Sequence, residues 1–472
     1  MDLIRSLVSW FLRPRVTDPG TRNDFHSSSS SYTSSHTTLP SAPTNDLRSI
    51  VDNPEDLKYL SPIRYAYDPV SVEISYLEHA LLRLQSRASQ PCPYLHQNSV
   101  RLHPARAGLP YRSSLDCVRG CKHFAVAIDE SKDLLKKIMM ENSAADIPVG
   151  DAKVTLTKLA EHELRPGLED RMMLATSYMF PAANERRLRI IAVLMIMYFI
   201  FDGKSALSLL ESCTMLIRLS QTKLRKLPTE HRKDFFSHFD DPETSKTEPI
   251  SDFHRHTQAT MKAIKDEDEA GGNGGKEMVS ALRDAFRCVH PNGDFKTLEE
   301  YLQFRRLNVG ARFVIAAAKF TTKSSVEVKD PRFSRYLSLI GDHLGMINDM
   351  ASYEKEARAL RLGETKDMIN IVSVFHQLLS LPDEKAAKAA AYAYQLQVES
   401  WIMEEIERLA KNETLTDEEW WFLEVVLLTA TGNTIFCMTS ARYGGKAAAI
   451  EPMWYPKSTV AVLQVLEYIR SV

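Results

Sequence analysis

An all-α fold is what this sequence predicts, and three observations predict it. From about residue 120 onward, nearly every segment places apolar residues at the spacing of a helix face. Signals for strands are scarce along the whole chain. No G-x-G-x-x-G or P-loop pattern appears.

Composition narrows the class. The chain has 472 residues, 44 % of them hydrophobic and 25 % charged, which is ordinary for a globular protein. A net charge of −2 gives no whole-chain pull toward nucleic acid or an anionic membrane, so neither is an expected partner. Six scattered cysteines make no disulfide framework and fit a reducing, cytoplasmic setting. Cys117-x-x-x-Cys121-x-His123 has half of a zinc pattern but no second ligand pair at finger spacing. No stretch carries the roughly 18–20 consecutive apolar residues of a membrane span, so none is expected. The apolar start, Leu3 to Leu12, lacks a convincing cleavage site and reads as a partly ordered tail, with a segment lying in a membrane interface as the alternative. The oligomeric state is not legible.

Three regions follow in order. Residues 1–50 are a Ser/Thr/Pro-rich extension that cannot bury enough apolar surface to offset its ordering entropy, so it is expected to be disordered. Residues 51–120 form a segment expected to pack on the main domain as a cap. Within it Val70–Leu84 reads as helix and the Pro-rich Gln90–Tyr111 as loop. Residues 121–472 are the helical domain. There, Ile190 to Phe201 is an almost unbroken apolar run, expected as a buried core helix, leading into Asp202-Gly203-Lys204-Ser205-Ala206. Lys265–Lys276, acidic and Gly-rich, reads as a solvated loop, and His254 and His256 read as surface histidines. The last long helix starts at Thr416, a good N-cap with acids behind it, and is expected to stop at Gly444-Gly445, with Arg442 and Tyr443 in its last turn.

The most informative stretch is Asn348-Asp349-Met350-Ala351-Ser352-Tyr353-Glu354-Lys355-Glu356. Asn348, Ser352 and Glu356 stand at i, i+4 and i+8, so on a helix they stack along one face. An amide, a hydroxyl and a carboxylate aligned in that way are hard oxygen donors suited to Mg²⁺, which also keeps substrate phosphates in its shell. Lys355 lies beside them, able to hold the phosphate end. A solvated polar face is the competing reading, but the apolar residues from Tyr336 to Ile347 bury the same helix, and buried polar groups need partners.

This stretch resembles the N-D-x-x-S-x-x-K-E magnesium motif of class I terpene synthases, in particular fungal sesquiterpene cyclases of the trichodiene synthase type. Phe304-Arg305-Arg306-Leu307-Asn308-Val309-Gly310 resembles the segment with the family's diphosphate-sensing arginine, and Arg306 lies 42 residues before Asn348. Ala441-Arg442-Tyr443 resembles the family's diphosphate-binding Arg-Tyr pair. The aspartate-rich motif departs from the pattern. Asp202 keeps its first acid, while Gly203 and Ala206 replace later ones and remove negative charge. Asp240-Asp241 looks more like that motif, but Pro242 and the absence of an apolar helix before it argue against it.

The resemblance implies a single antiparallel helical bundle around a deep active-site cavity. It implies metal binding by Asp202, Asn348, Ser352 and Glu356, with three Mg²⁺ ions. Arg306, Lys355, Arg442 and Tyr443 would donate to the diphosphate, and Lys204 is an additional candidate donor. Tyr198 and Phe199, and with them Tyr178 and Phe180, are candidates for an aromatic wall against a carbocation. The implied substrate is farnesyl diphosphate or another prenyl diphosphate, cyclised to a C15 hydrocarbon or alcohol. The alternative is a cyclase-fold protein with impaired turnover that binds isoprenoid diphosphates or a partner.

Overall fold

The computed structural model describes residues 47–60, 84–140 (apart from 105, 108, 110, 112, 116 and 117), 156–164, 172–201, 252–269, 274–288, 294–363, 368–440 and 442–443. The expected disordered extension before residue 47, most of the expected Val70–Leu84 helix, and Asp202, Lys204, Asp240 and Asp241 lie outside these residues.

The fold is all-α. Among the described residues the exception is a two-stranded antiparallel ribbon, β1 (Ser99–Leu102) and β2 (Val118–Cys121), with Ser99 opposite Cys121. It follows a short helix, α1 (Pro93–Asn98). Both α1 and β1 fall where the sequence reads as loop. Proline at the first helical position explains α1, since its missing N–H has no helical partner to lose there. The ribbon is set by pairing across intervening chain, which local composition does not report.

The helices α2 (Phe124–Met139), α3 (Leu156–Glu163), α4 (Ala175–Met179) and α5 (Glu185–Phe201) come next. The chain continues through α6 (Asp252–Glu269), α7 (Gly274–Arg287), α8 (Leu298–Asn308) and α9 (Ala311–Thr321). It closes with α10 (Ser334–Arg361), α11 (Ile371–Leu378), α12 (Glu384–Asn412) and α13 (Asp417–Thr439).

Two expectations about helix ends need correction. The acidic stretch after Lys265 is not a free loop: α6 runs to Glu269. Glu267 is buried there against Arg187 Nε at 2.8 Å, and Asp268 accepts the Gly275 N–H at 3.0 Å. Those partners hold the acids in the helix. At the other end, α13 stops at Thr439, short of Gly444. Ser440 turns extended, and its hydroxyl accepts the Arg442 N–H at 3.2 Å, so a serine side chain replaces helical bonding. Arg442 and Tyr443 therefore lie in a turn beyond the helix.

α13 begins with a capping box, Thr416 and Glu419 bonding each other's backbone N–H. By length and composition it is apolar enough to cross a membrane, which the sequence reading did not anticipate. Its 18-residue apolar window is 100 % buried, as in the central helix of a bundle. It packs on α4, α9 and α10, and its approach to α4 is close. A Cβ on Gly432 would meet the Tyr178 carbonyl oxygen at 2.0 Å, so only glycine fits there.

The segment before α2 is bound to this bundle by buried polar contacts. Glu399 of α12, wholly buried, accepts from Ser113 Oγ (2.8 Å), Ser114 N (2.7 Å), Ser114 Oγ, Gln395 Nε2 (2.7 Å) and the His343 ring (3.1 Å). Cys121 and His123, the half zinc pattern, engage the Ala183 carbonyl and Asn98 Oδ1. His256 is not a surface histidine: its ring is 3.1 Å from Glu130 and 2.9 Å from Lys137 Nζ, and its side chain is 13 % exposed.

Candidate active site

The cavity at the bundle's centre is bounded by α4, α5, α8, α9, α10, α13 and the turn after it. Its lining comprises Met179, Met195, Tyr198, Phe199, Arg305, Val309, Val314, Asn348, Ser352, Lys355, Glu356, Asn433, Phe436, Arg442 and Tyr443. It encloses about 50 Å³. One side is apolar and aromatic and the other is charged. Among the described lining residues the charged groups are the cations Arg305, Lys355 and Arg442 and the carboxylate Glu356, with Asp349 behind Arg305. An anion is what such a cavity attracts.

α10 brings together the spaced triad. Asn348, Ser352 and Glu356 all line the cavity, and Ser352 Oγ donates to Glu356 Oε1 at 3.1 Å. Asn348 Nδ2 donates to the Tyr443 hydroxyl at 3.0 Å, and its Oδ1 accepts from Arg305 Nη2 at 2.7 Å. Three oxygen donors on successive turns facing one space fit a hard divalent cation such as Mg²⁺. Arg305 already holds one of them. Positive charge at that point weakens metal binding until an anionic ligand brings compensating charge.

Tyr443 ties the triad to the remaining cations. Lys355 Nζ lies 5.4 Å above its ring, and the Arg442 guanidinium lies 5.8 Å from it and 5.0 Å from the Phe199 ring. The aromatic side is continuous. Tyr198 lies 5.9 Å from both Phe199 and Phe313, and Phe199 lies 6.0 Å from Phe436. The Tyr198 hydroxyl donates to the Asn308 carbonyl at 3.1 Å. Tyr178 and Phe180, the other aromatic candidates, are buried in the core; Met179 between them lines the cavity instead.

The expected arginine is displaced by one residue. Arg306 turns away from the cavity and pairs with Asp342 through Nε (2.6 Å) and Nη2 (3.1 Å). Arg305 turns in, fully buried, with Nη2 2.6 Å from Asp349 Oδ1. Two glycines one turn apart on α10 make room for both stems. A Cβ on Gly345 would meet Arg305 Cγ at 3.0 Å, and one on Gly341 would meet Arg306 Cγ at 3.2 Å, so the two stems lie across α10 side by side.

Asp349 is the hidden counterpart of the triad. It accepts from the Tyr301 hydroxyl and from Ile371 N at 3.0 Å besides pairing with Arg305. Burial, and then Asp349, push the Tyr301 phenol well above its ordinary range, so it stays a donor. Burial opposes the charge on Arg305, but Asp349, Tyr301 and Glu356 together outweigh it and keep the guanidinium protonated. The sequence reading missed Arg305, Asp349 and Tyr301. A signal was present: Tyr301, Arg305 and Asn308 stand at i, i+4 and i+7, one face of α8.

A second cluster, Glu130, Asp133 and His256, has ligand atoms close enough for a cation. Lys137 Nζ is 2.5 Å from Asp133, and Arg189 is 3.3 Å from Glu130, so cationic side chains already balance it.

Residues 235–398 match the family described as terpene synthase family 2, C-terminal metal binding. The chain is similar to terpene cyclase 6 of Gibberella fujikuroi, 22 % identical over 393 residues that cover 81 % of this chain and 95 % of that one. It is also similar to terpene cyclase aneC of Aspergillus aculeatus, 23 % identical over 399 residues and 81 % of each chain. A crystal structure of a-eudesmol synthase aligns with 68 % of this chain and 96 % of its own at 14 % identity and a TM-score of 0.46, a likeness too loose to weigh. The matched metal-binding domain spans α10, and two fungal terpene cyclases align along most of the chain, so it is terpene synthases that this chain resembles.

Proposed function

We propose that this terpene cyclase ionises farnesyl diphosphate with Mg²⁺ and cyclises the resulting carbocation to a C15 product, releasing diphosphate. The observation that carries the reading is the two-sided cavity: three cations and an oxygen triad facing an aromatic wall. Ionisation breaks the bond between the allylic carbon and the diphosphate oxygen, and the bonding pair leaves with the oxygen. Charge therefore develops on the leaving group, where preorganised donors act most strongly. In this reading Arg305, Lys355, Arg442 and the Tyr443 hydroxyl donate to the diphosphate. Arg305 takes the role that the resemblance implies for Arg306, because it is the one lining the cavity. Asn348, Ser352 and Glu356 would hold Mg²⁺, and the resemblance adds Asp202 to that set. The metal supplies further positive charge to the departing oxygens. Tyr198, Phe199 and Phe436 offer ring faces to the cation and exclude water. Seating a C15 chain requires the apolar side to open beyond the volume it encloses here.

The replacements Gly203 and Ala206 favour a second reading, a cyclase fold that binds prenyl diphosphates with little turnover. Incubation with farnesyl, geranyl or geranylgeranyl diphosphate and Mg²⁺, followed by gas chromatography–mass spectrometry, separates the two. A cyclic C15 product from farnesyl diphosphate, lost in Glu356→Ala and Asp202→Ala, is the expected outcome. A folded protein that releases no product from any of the three supports the second reading and overturns the first.

A further inference from the structure

Asn370, in the connection between α10 and α11, is fully buried, and each polar atom of its amide is engaged. Its Oδ1 accepts the Val372 N–H at 3.0 Å and so caps α11. That bond fixes the sense of the amide, directing its NH₂ toward α10. There Nδ2 donates to the Asp349 carbonyl oxygen at 2.7 Å and to Glu356 Oε2 at 3.1 Å. The next residue in the chain, Ile371, gives its N–H to the Asp349 carboxylate. The start of α11 is thus fastened to α10 at two points about two turns apart.

Glu356 is thereby held at both ends of its carboxylate, Oε1 by Ser352 of its own helix and Oε2 by Asn370 from outside it. A glutamate side chain loses rotamer entropy when it is ordered, and a partner that orders it beforehand removes that loss from metal binding. Mg²⁺ demands near-ideal octahedral geometry, so a carboxylate already fixed in direction binds it better than a mobile one. We infer that Asn370 is a positioning residue that orients the Glu356 carboxylate for metal binding. The inference rests on the reading above that Glu356 is a metal ligand.

The competing explanation is that Asn370 only caps α11. Serine and aspartate are also good N-caps, but serine is too short to reach Glu356 and aspartate offers it no donor. Asn370→Ser and Asn370→Asp therefore keep the cap and remove the contact. The test is titration of the full chain with Mn²⁺ in the presence of inorganic pyrophosphate, with bound Mn²⁺ read by electron paramagnetic resonance and folding checked by circular dichroism. Wild type, Glu356→Ala and both Asn370 variants are compared. The expected result is that Asn370→Ser stays folded and binds Mn²⁺ about 10–100-fold more weakly, the usual effect of losing such a partner, while Asn370→Asp, which sets a buried carboxylate against two acceptors, melts lower. A folded cap-keeping variant that binds Mn²⁺ like wild type, while Glu356→Ala does not, overturns the positioning role and leaves the metal reading standing. Equal binding by wild type and Glu356→Ala overturns the metal reading and the inference with it.

Discussion

Arg305 and Arg306 are neighbours in sequence with separate environments. One faces a cavity and a wholly buried Asp349; the other is half-buried against Asp342. Arg305→Ala leaves Asp349 buried without its guanidinium, a loss of about 3–5 kcal/mol. It also removes a donor from the cavity, so urea denaturation and calorimetric titration with pyrophosphate should both report weakening. Arg306→Gln should lower stability and leave pyrophosphate affinity unchanged, and loss of that affinity would return the diphosphate role to Arg306. The triad was legible in the sequence because its spacing is a local property of one helix. Which arginine faces inward was not, because the choice depends on the rotation of α8 against Gly341 and Gly345, residues from another element. Asn370 was hidden for the same reason: its partners Asp349 and Glu356 lie 21 and 14 residues away.

At the scale of elements, α13 sets the shape of the cavity. It contributes Asn433 and Phe436 to the lining while pressing Gly432 against the backbone of α4, whose Met179 lines the same space. Gly432→Ala places a methyl group where the Tyr178 carbonyl stands. It should cost roughly 1–3 kcal/mol as α13 and α4 separate, measured by chemical denaturation; an unchanged midpoint would show that the two helices are not tightly coupled. The start of α13 was readable from its capping box. Its end was not, since Ser440 breaks the helix ahead of the glycines that look like the natural stop. The acidic end of α6 was misread for a related reason: Arg187 and the start of α7 supply the partners that make it helix.

At the scale of the molecule, Glu399 joins the segment before α2 to the bundle. Burial alone would raise its carboxyl, but the His343, Gln395 and Ser114 hydrogen bonds outweigh burial and hold it below the ordinary value of 4.5. A carboxyl depressed on folding contributes stability above its unfolded value, and that contribution is lost as pH falls through the folded one. Unfolding free energy should therefore drop as pH is lowered below about 4.5. Glu399→Gln should lack that component of the drop and be less stable by roughly 3 kcal/mol near neutrality; urea titrations across this range would show whether the two profiles differ. The all-α class was evident from periodicity, whereas the two-stranded ribbon depends on pairing across the chain between Leu102 and Val118, and this hub on contacts that span most of the chain. Ser113 and Glu399 are 286 residues apart. At ribosomal rates of about 5–20 residues per second, Ser113 and Ser114 emerge roughly 15–60 s before their carboxylate exists. For that interval these two serines lack the carboxylate that they hold in the finished fold, so the segment before α2 can be fastened to the bundle only after α12 has been made.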